Sequence, residues 1–397
     1  MKTALLLVVG IMFLNCGGNS SRDHSILNNT TTTGTELFSD QAVVRYAQNF
    51  SVIYQGNYKV VHLHYESLSR SYKVDEKWIL VQRGTPKPEL TGELERAQVI
   101  EIPIQSLAVN NKAEMIRLRD LGALDKVVAV GGTDIYDDSV YQYLLSKKIP
   151  VIGYGADSPQ QDEILLSINP DTYLFFSTEA RGLELIRKQK QLGIKAIPHL
   201  AWSEPFFMAK VEWIKFTALF FNLEREAETI VERIRSNSEE LKKKVEAQGD
   251  KRTAFMTFHP AGAYDWWAHR NDYYASLLTA SGGKNVLQDN GPTHYVPMNN
   301  EELLKMAHEA EFWFGNSEDD MRWPAVSYLE EFQSYQKDRV FHYNKRSIPS
   351  RNAYDWQELA VARPDLVMED IASILYPEVL PNHTLLFFEK VKLTKRK

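Results

Sequence analysis

The 397-residue chain holds a single cysteine, Cys16. One thiol excludes an intrachain disulfide framework, a Cys-rich zinc site and a Cys-ligated iron–sulfur cluster. Positive charge is short as well: 46 Lys and Arg stand against 52 Asp and Glu, a formal charge of -6. With no basic stripe to neutralise a run of phosphates, nucleic acid is not an expected partner. Neither Gly-x-Gly-x-x-Gly nor a Walker loop occurs, which argues against dinucleotide and ATP sites, and no Gly-x-Ser-x-Gly marks a serine nucleophile. Catalysis has no positive sign here, and no cofactor is expected.

The N-terminal apolar run is also too short to span a bilayer. Ala4 to Leu14 is eleven residues, where a membrane-spanning helix needs about 20. Following Met1 and Lys2 and ending at Asn15-Cys16-Gly17-Gly18, it reads as the core of a secretory signal. The arrangement resembles a bacterial lipobox, although Leu14 stands two residues before the cysteine and Asn15 fills the place of a small residue. A signal peptide over residues 1–16, lipidation of Cys16 and anchorage of an exported protein at a periplasmic face or cell surface follow as expectations. Residues 17–40, with Asn19-Ser20-Ser21, Asn28-Asn29 and four threonines, are too polar to fold and read as a tether.

What is present in the body is α/β alternation. Val60 to Leu63 and Trp78 to Gln82 read as an opening meander. Val99 to Ile102, Val127 to Val130, Val151 to Tyr154 and Tyr173 to Phe176 read as buried strands, interleaved with helices Lys112 to Leu121, Ser139 to Lys147 and Arg181 to Leu192. From Glu204 to about Ala247 no strand pattern occurs, and the stretch reads as helical with a break at Asn222. After Gly249 the alternation restarts, with strands at Ala254 to Phe258, Phe312 to Gly315 and Arg339 to His342 and a last helix to Leu375. The expected fold is α/β, with two Rossmann-like lobes (41–203 and 249–397) joined by a long connecting helix (204–248) and a ligand cleft between them.

Four segments carry a family likeness: Ala209-Lys210-Val211-Glu212-Trp213-Ile214-Lys215-Phe216, Asn169-Pro170-Asp171, Ser281-Gly282-Gly283-Lys284-Asn285-Val286 and Arg363-Pro364-Asp365-Leu366. Their order and spacing, with the lipoprotein-like leader, make residues 40–393 resemble the helix-backbone class of ABC-transporter substrate-binding proteins for ferric siderophores, haem and cobalamin. The resemblance implies a solute-binding lipoprotein that delivers an iron chelate, a ferric siderophore foremost, to a permease driven by a separate ATPase. Cobalamin and haem are the ligand alternatives. A tetrapyrrole or metal chelatase on the same architecture is the alternative of another class.

Ligands of open α/β sheets bind at the carboxyl ends of strands, so candidate ligand contacts lie in the loops there. In the first lobe these are Thr133, Tyr136, Tyr154, Ser177 and Trp202. In the second they are Trp266 and Trp267, Tyr295 beside His294, and Arg346, Tyr354 and Trp356, which combine a cation with rings. The resemblance further implies one permease-docking carboxylate per lobe, matched by Glu163 and Glu301. His62 and His64 share a strand face with metal-ligand spacing but lack a third ligand, and the clusters Asp134, Asp137, Asp138 and Glu318-Asp319-Asp320 read as solvated loops.

Overall fold

In Tyr58–Glu66, Val61 and Leu63 point inward while His62 and His64 point out, the period of two that a half-buried strand requires. A two-residue turn at Gly56 and Asn57, with Gly56 at φ +54, folds this strand onto Phe50–Gln55, and Lys73–Gln82 continues the antiparallel meander. Gln98–Ile102 adds a parallel fourth strand. The computed structural model describes residues 37–67, 73–154, 159–176, 180–259, 266–291, 295–317 and 327–392. Cys16, Ser177, His294 and Glu318 to Asp320 lie outside them.

The second sheet is parallel throughout, in the order Val127–Val130, Leu107–Val109, Thr172–Phe175, Ala196–Pro198. Its strands are almost wholly apolar because helices cover both faces. The third sheet is mixed, running Val296–Met298, Trp266–Ala268, Thr253–His259, Phe312–Ser317, Val340–His342, Glu389–Lys390, with its three central strands parallel. Two α/β lobes result. The segment Val151 to Tyr154, expected as a strand, makes only an isolated bridge from Val151 to Val130.

The stretch between the lobes is three helices rather than one: Phe207–Val211, Trp213–Ala218 and Glu224–Glu246. Asn222 breaks it with φ +57. The last helix is 23 residues, roughly 34 Å long at 1.5 Å per residue. Its apolar stripe is shared between cores. Ala227, Ile230, Val231 and Ile234 pack into the core built on the first lobe, whereas Leu241 and Val245 pack into that of the second. At the N-terminal end, buried Lys59 donates to Glu224 at 2.5 Å, Asn222 at 2.8 Å and the Leu219 carbonyl at 2.8 Å.

A strap before the first strand is fastened to the same helices by carboxylates. Buried Glu212 accepts from the backbone N–H groups of Arg45, Tyr46 and Ala47, and Glu204 from those of Gln48 and Asn49. Loop N–H groups without a ladder need such acceptors. Glu212 also pairs with fully buried Lys215 at 3.0 Å. Replacing Glu212 with Ala strands three N–H groups, while Lys215 keeps Glu228 at 2.7 Å and the Val43 carbonyl at 2.8 Å, so urea unfolding should show a loss of about 3 kcal/mol, roughly 1 kcal/mol per stranded N–H group. A loss below about 1 kcal/mol would contradict this role.

Candidate functional site: the strand ends between the lobes

In the first lobe the parallel strands end in loops that carry a charged and aromatic set. The Tyr154 hydroxyl donates to Asp134 Oδ1 at 2.5 Å, and Lys112 Nζ lies 2.5 Å from Oδ2 and 5.4 Å from the Tyr154 ring centre. Burial opposes ionisation of Asp134, but Lys112 and Tyr154 outweigh it and hold the carboxyl below its ordinary range. Burial and the bond to Asp134 push the Tyr154 phenol up. Tyr154 lies over Gly131 and Gly132, where an added Cβ would come within 2.6 and 2.8 Å of ring carbons. Trp202 meets Tyr65 edge-on at 5.5 Å and Phe176 at 6.5 Å. Its buried indole Nε1 has no hydrogen-bond partner among the described residues. Thr133 is half-buried in the same loop as Asp134.

In the second lobe the rings form a row. Trp267 stacks on Tyr295 at 4.6 Å and 11°, His269 lies 4.7 Å from Tyr274, Tyr274 stacks on Trp356 at 5.7 Å, and Trp356 stacks on Tyr343 at 4.3 Å. Tyr295 is 46% exposed. Arg346 donates to Asp355 and lies 4.7 Å over the Tyr136 ring of the opposite lobe. Tyr354 is half-buried and pairs with Ser347 across a short hairpin. At the floor, Lys210 places its ammonium 3.9 Å over the Tyr273 ring, and burial lowers it to about 8 against the pull of Asp272.

Two expected contacts are corrected. Trp266 is fully buried, 5.1 Å from Trp313 and 4.9 Å from His259, and belongs to the core beneath the sheet. Adjacent residues on a strand point to opposite faces, so only Trp267 reaches the other side. Trp356 is 7% exposed and sits among Tyr274, Tyr343, Phe387 and Phe388, a core residue that backs the row rather than its surface. Among the residues not singled out from sequence, Lys112, Lys210 and Glu358 join the site. Asp134, expected in a solvated loop, is half-buried and bonded to Lys112 and Tyr154.

Glu163 and Glu301 are exposed, each near the start of a helix, Pro159–Ile168 and Asn300–Ala307. His62 bonds Asp75 at 2.8 Å, and among the described residues no group of three His, Cys, Asp or Glu could hold a metal ion. A groove of about 890 Å³ opens elsewhere, between the connector and helix Tyr273–Ala280, lined by Phe206, Met208, Arg235, Lys242 and Val245. Its lining includes Asp272, which bonds His269 of the ring row at 2.6 Å.

The sequence profile described as periplasmic binding protein matches residues 111–342. The chain belongs to that family. A lipoprotein of Methanocaldococcus jannaschii is 23% identical over 98% of this chain and 97% of its own length. Among solved structures, this periplasmic binding protein is similar to a periplasmic haem-binding protein from Pseudomonas aeruginosa (TM-score 0.52, 14% identity, 73% of this chain and 100% of that one). It is also similar to a protein of an ABC-type Fe3+-hydroxamate transport system from Saccharomonospora viridis (TM-score 0.52, 18% identity, 69% and 94%). At such identity these likenesses bear on the fold, which is the two-lobed one of the family. Family and neighbours are solute-binding proteins.

The two adjacent tryptophans separate structure from site. Trp266→Ala should cost about 3–5 kcal/mol in denaturant unfolding. Trp267→Ala should cost clearly less, since that ring is half-buried and its stack on Tyr295 adds only about 0.5–1.5 kcal/mol to the area it buries. Equal losses would contradict the assignment of one ring to the core and one to the surface.

Proposed function

We propose that the chain is the solute-binding lipoprotein of an ABC importer and that it captures a bulky iron chelate, a ferric siderophore, between its lobes. The observation that carries this is the pairing of ring surfaces with fixed charge at the strand ends: Trp202 and Tyr154 with Lys112 on one side, Trp267 and Tyr295 on the other, Lys210 below. Rings offer area at little entropic cost, and a cation beside them suits a chelate with anionic oxygens. The iron-hydroxamate neighbour supports the siderophore, and the haem-binding neighbour keeps haem as the second ligand, beside cobalamin. Titration of the purified protein with a ferric hydroxamate, haem and cobalamin, followed by tryptophan quenching and absorbance, tests it. A saturable response to the ferric hydroxamate is expected. Silence with all three overturns the reading.

In this reading residues 1–16 are the signal peptide, Cys16 carries the lipid that holds the protein at a membrane, and residues 17–40 are the tether to lobes 41–203 and 249–397. Among the described residues no helix is long and apolar enough to cross a membrane. Glu163 and Glu301 dock on the permease, which its own ATPase drives. Exposed carboxylates of this kind steer and orient more than they tighten. Reversing both, as Glu163→Lys with Glu301→Lys, should leave ligand affinity within twofold and reduce uptake at least tenfold in cells. Undiminished uptake would remove the docking role.

A further inference from the structure

The lobes also touch across the mouth of the cleft, opposite the connector. Glu358, fully buried, accepts from the Tyr136 N–H at 2.6 Å through Oε1 and from the Asp137 N–H at 3.0 Å through Oε2. Arg351 donates to the Tyr136 carbonyl at 3.4 Å, lies 3.9 Å over the Tyr141 ring and reaches Asp138 at 3.8 Å. With Arg346 over the Tyr136 ring, three side chains of the second lobe grip one loop of the first. That loop follows strand Val127–Val130 and carries Thr133 and Asp134, so its position sets one wall of the cleft.

We propose that Glu358 is a positioning residue, and that its clasp on the Tyr136 loop closes the lobes when Glu358 takes up a proton and loosens them when it ionises. The charged groups around it leave it without a counter-ion. Asp355, three residues before it, repels it, while Arg346 is taken by Asp355 and Arg351 by Asp138. Lys112, from the helix packed opposite, attracts it but bonds Asp134, and Asp137 is held by Arg119. Asp134 is occupied by Lys112 and Tyr154. Only the two N–H groups favour the carboxylate directly, and burial outweighs them, raising Glu358 from 4.5 to about 7 in the clasped form.

The sign follows from linkage. A carboxyl that leaves the clasp for water returns toward its ordinary range, so the closed form binds the proton more tightly than the open one and is favoured by acid. From those two values the closed-to-open ratio should rise about tenfold between pH 8 and pH 6. A binding protein with this latch holds its cargo more firmly in an acidic medium. The inference rests on the two-lobed binding protein but not on which solute it carries, and it is tested without ligand, so its failure and that of the siderophore reading are separable.

Pulsed electron paramagnetic resonance reads the distance between spin labels on the full chain carrying Cys16→Ser, Lys147→Cys and Glu378→Cys, the two labelled positions being exposed, one on each lobe. Glu358 protein should show a single short distance at pH 6 and gain a longer population at pH 8. Glu358→Gln, which cannot ionise and keeps one acceptor oxygen for the loop N–H groups, should show one and the same distance distribution at both pH values. Arg351→Met, which weakens the grip without touching the titrating group, should enlarge the long population at both pH values and keep its dependence on pH. The same distance distribution at pH 6 and pH 8 with Glu358 in place overturns the proposal, as does pH dependence that survives in Glu358→Gln.

Discussion

One apolar stripe on one helix determines how the two lobes can move. Residues of Glu224–Glu246 are built into both cores, so neither lobe can swing freely without extracting Val231 and Ile234 from one side or Leu241 and Val245 from the other. Extracting a buried aliphatic side chain costs roughly 1.5–3 kcal/mol. Opening therefore has to come from bending and twisting within the packed frame, and the cleft is largely formed before anything enters it. The buried Lys59 and Glu224 pair and the carboxylate-bound strap stiffen the same end of the frame.

A stiff floor shifts control to the mouth. Across from the connector the lobes are joined by a few polar contacts, each worth far less than the shared cores. Glu358 holds backbone N–H groups, Arg346 and Arg351 lie on tyrosine rings, and all of them reach the loop that carries the Asp134 set. Weak contacts at the free edge and strong ones at the fixed edge describe a jaw. The distribution of charge follows the same division: Lys215 and Glu212 are paired and sealed near the connector, whereas Lys210 lies over a ring with no carboxylate within bonding distance among the described residues.

Much of the scaffold was legible in the sequence because burial on both faces leaves continuous apolar runs such as Val127 to Val130, and because a 23-residue amphipathic helix has a clear period. Strands Leu107–Val109 and Ala196–Pro198 escaped because three residues carry no period. The paired tryptophans were recognised as special, but the phase of the strand, and so which ring lies inside, depends on the partners Phe258 and Met298 and not on the local sequence. Trp356 was misread because an aromatic beside an arginine looks the same whether its ring backs the site or faces it. Glu358 had no local signal at all: its acceptor role exists only against Tyr136 and Asp137, more than two hundred residues earlier.

The rings of the site are already satisfied by one another. Trp267 on Tyr295 and Tyr274 on Trp356 are stacked within 12° of parallel, and the Tyr154 ring is wedged against two glycines that leave no room for it to withdraw. Such side chains have little rotamer freedom left to lose when a guest arrives, and fixing a free one costs about 0.5–1.5 kcal/mol. A surface of this kind suits a rigid guest better than a flexible chain, since the latter brings its own entropy cost. In the proposed reading, shape and rigidity rather than a bonding motif set selectivity, because the cations Lys112 and Arg346 are already paired with Asp134 and Asp355.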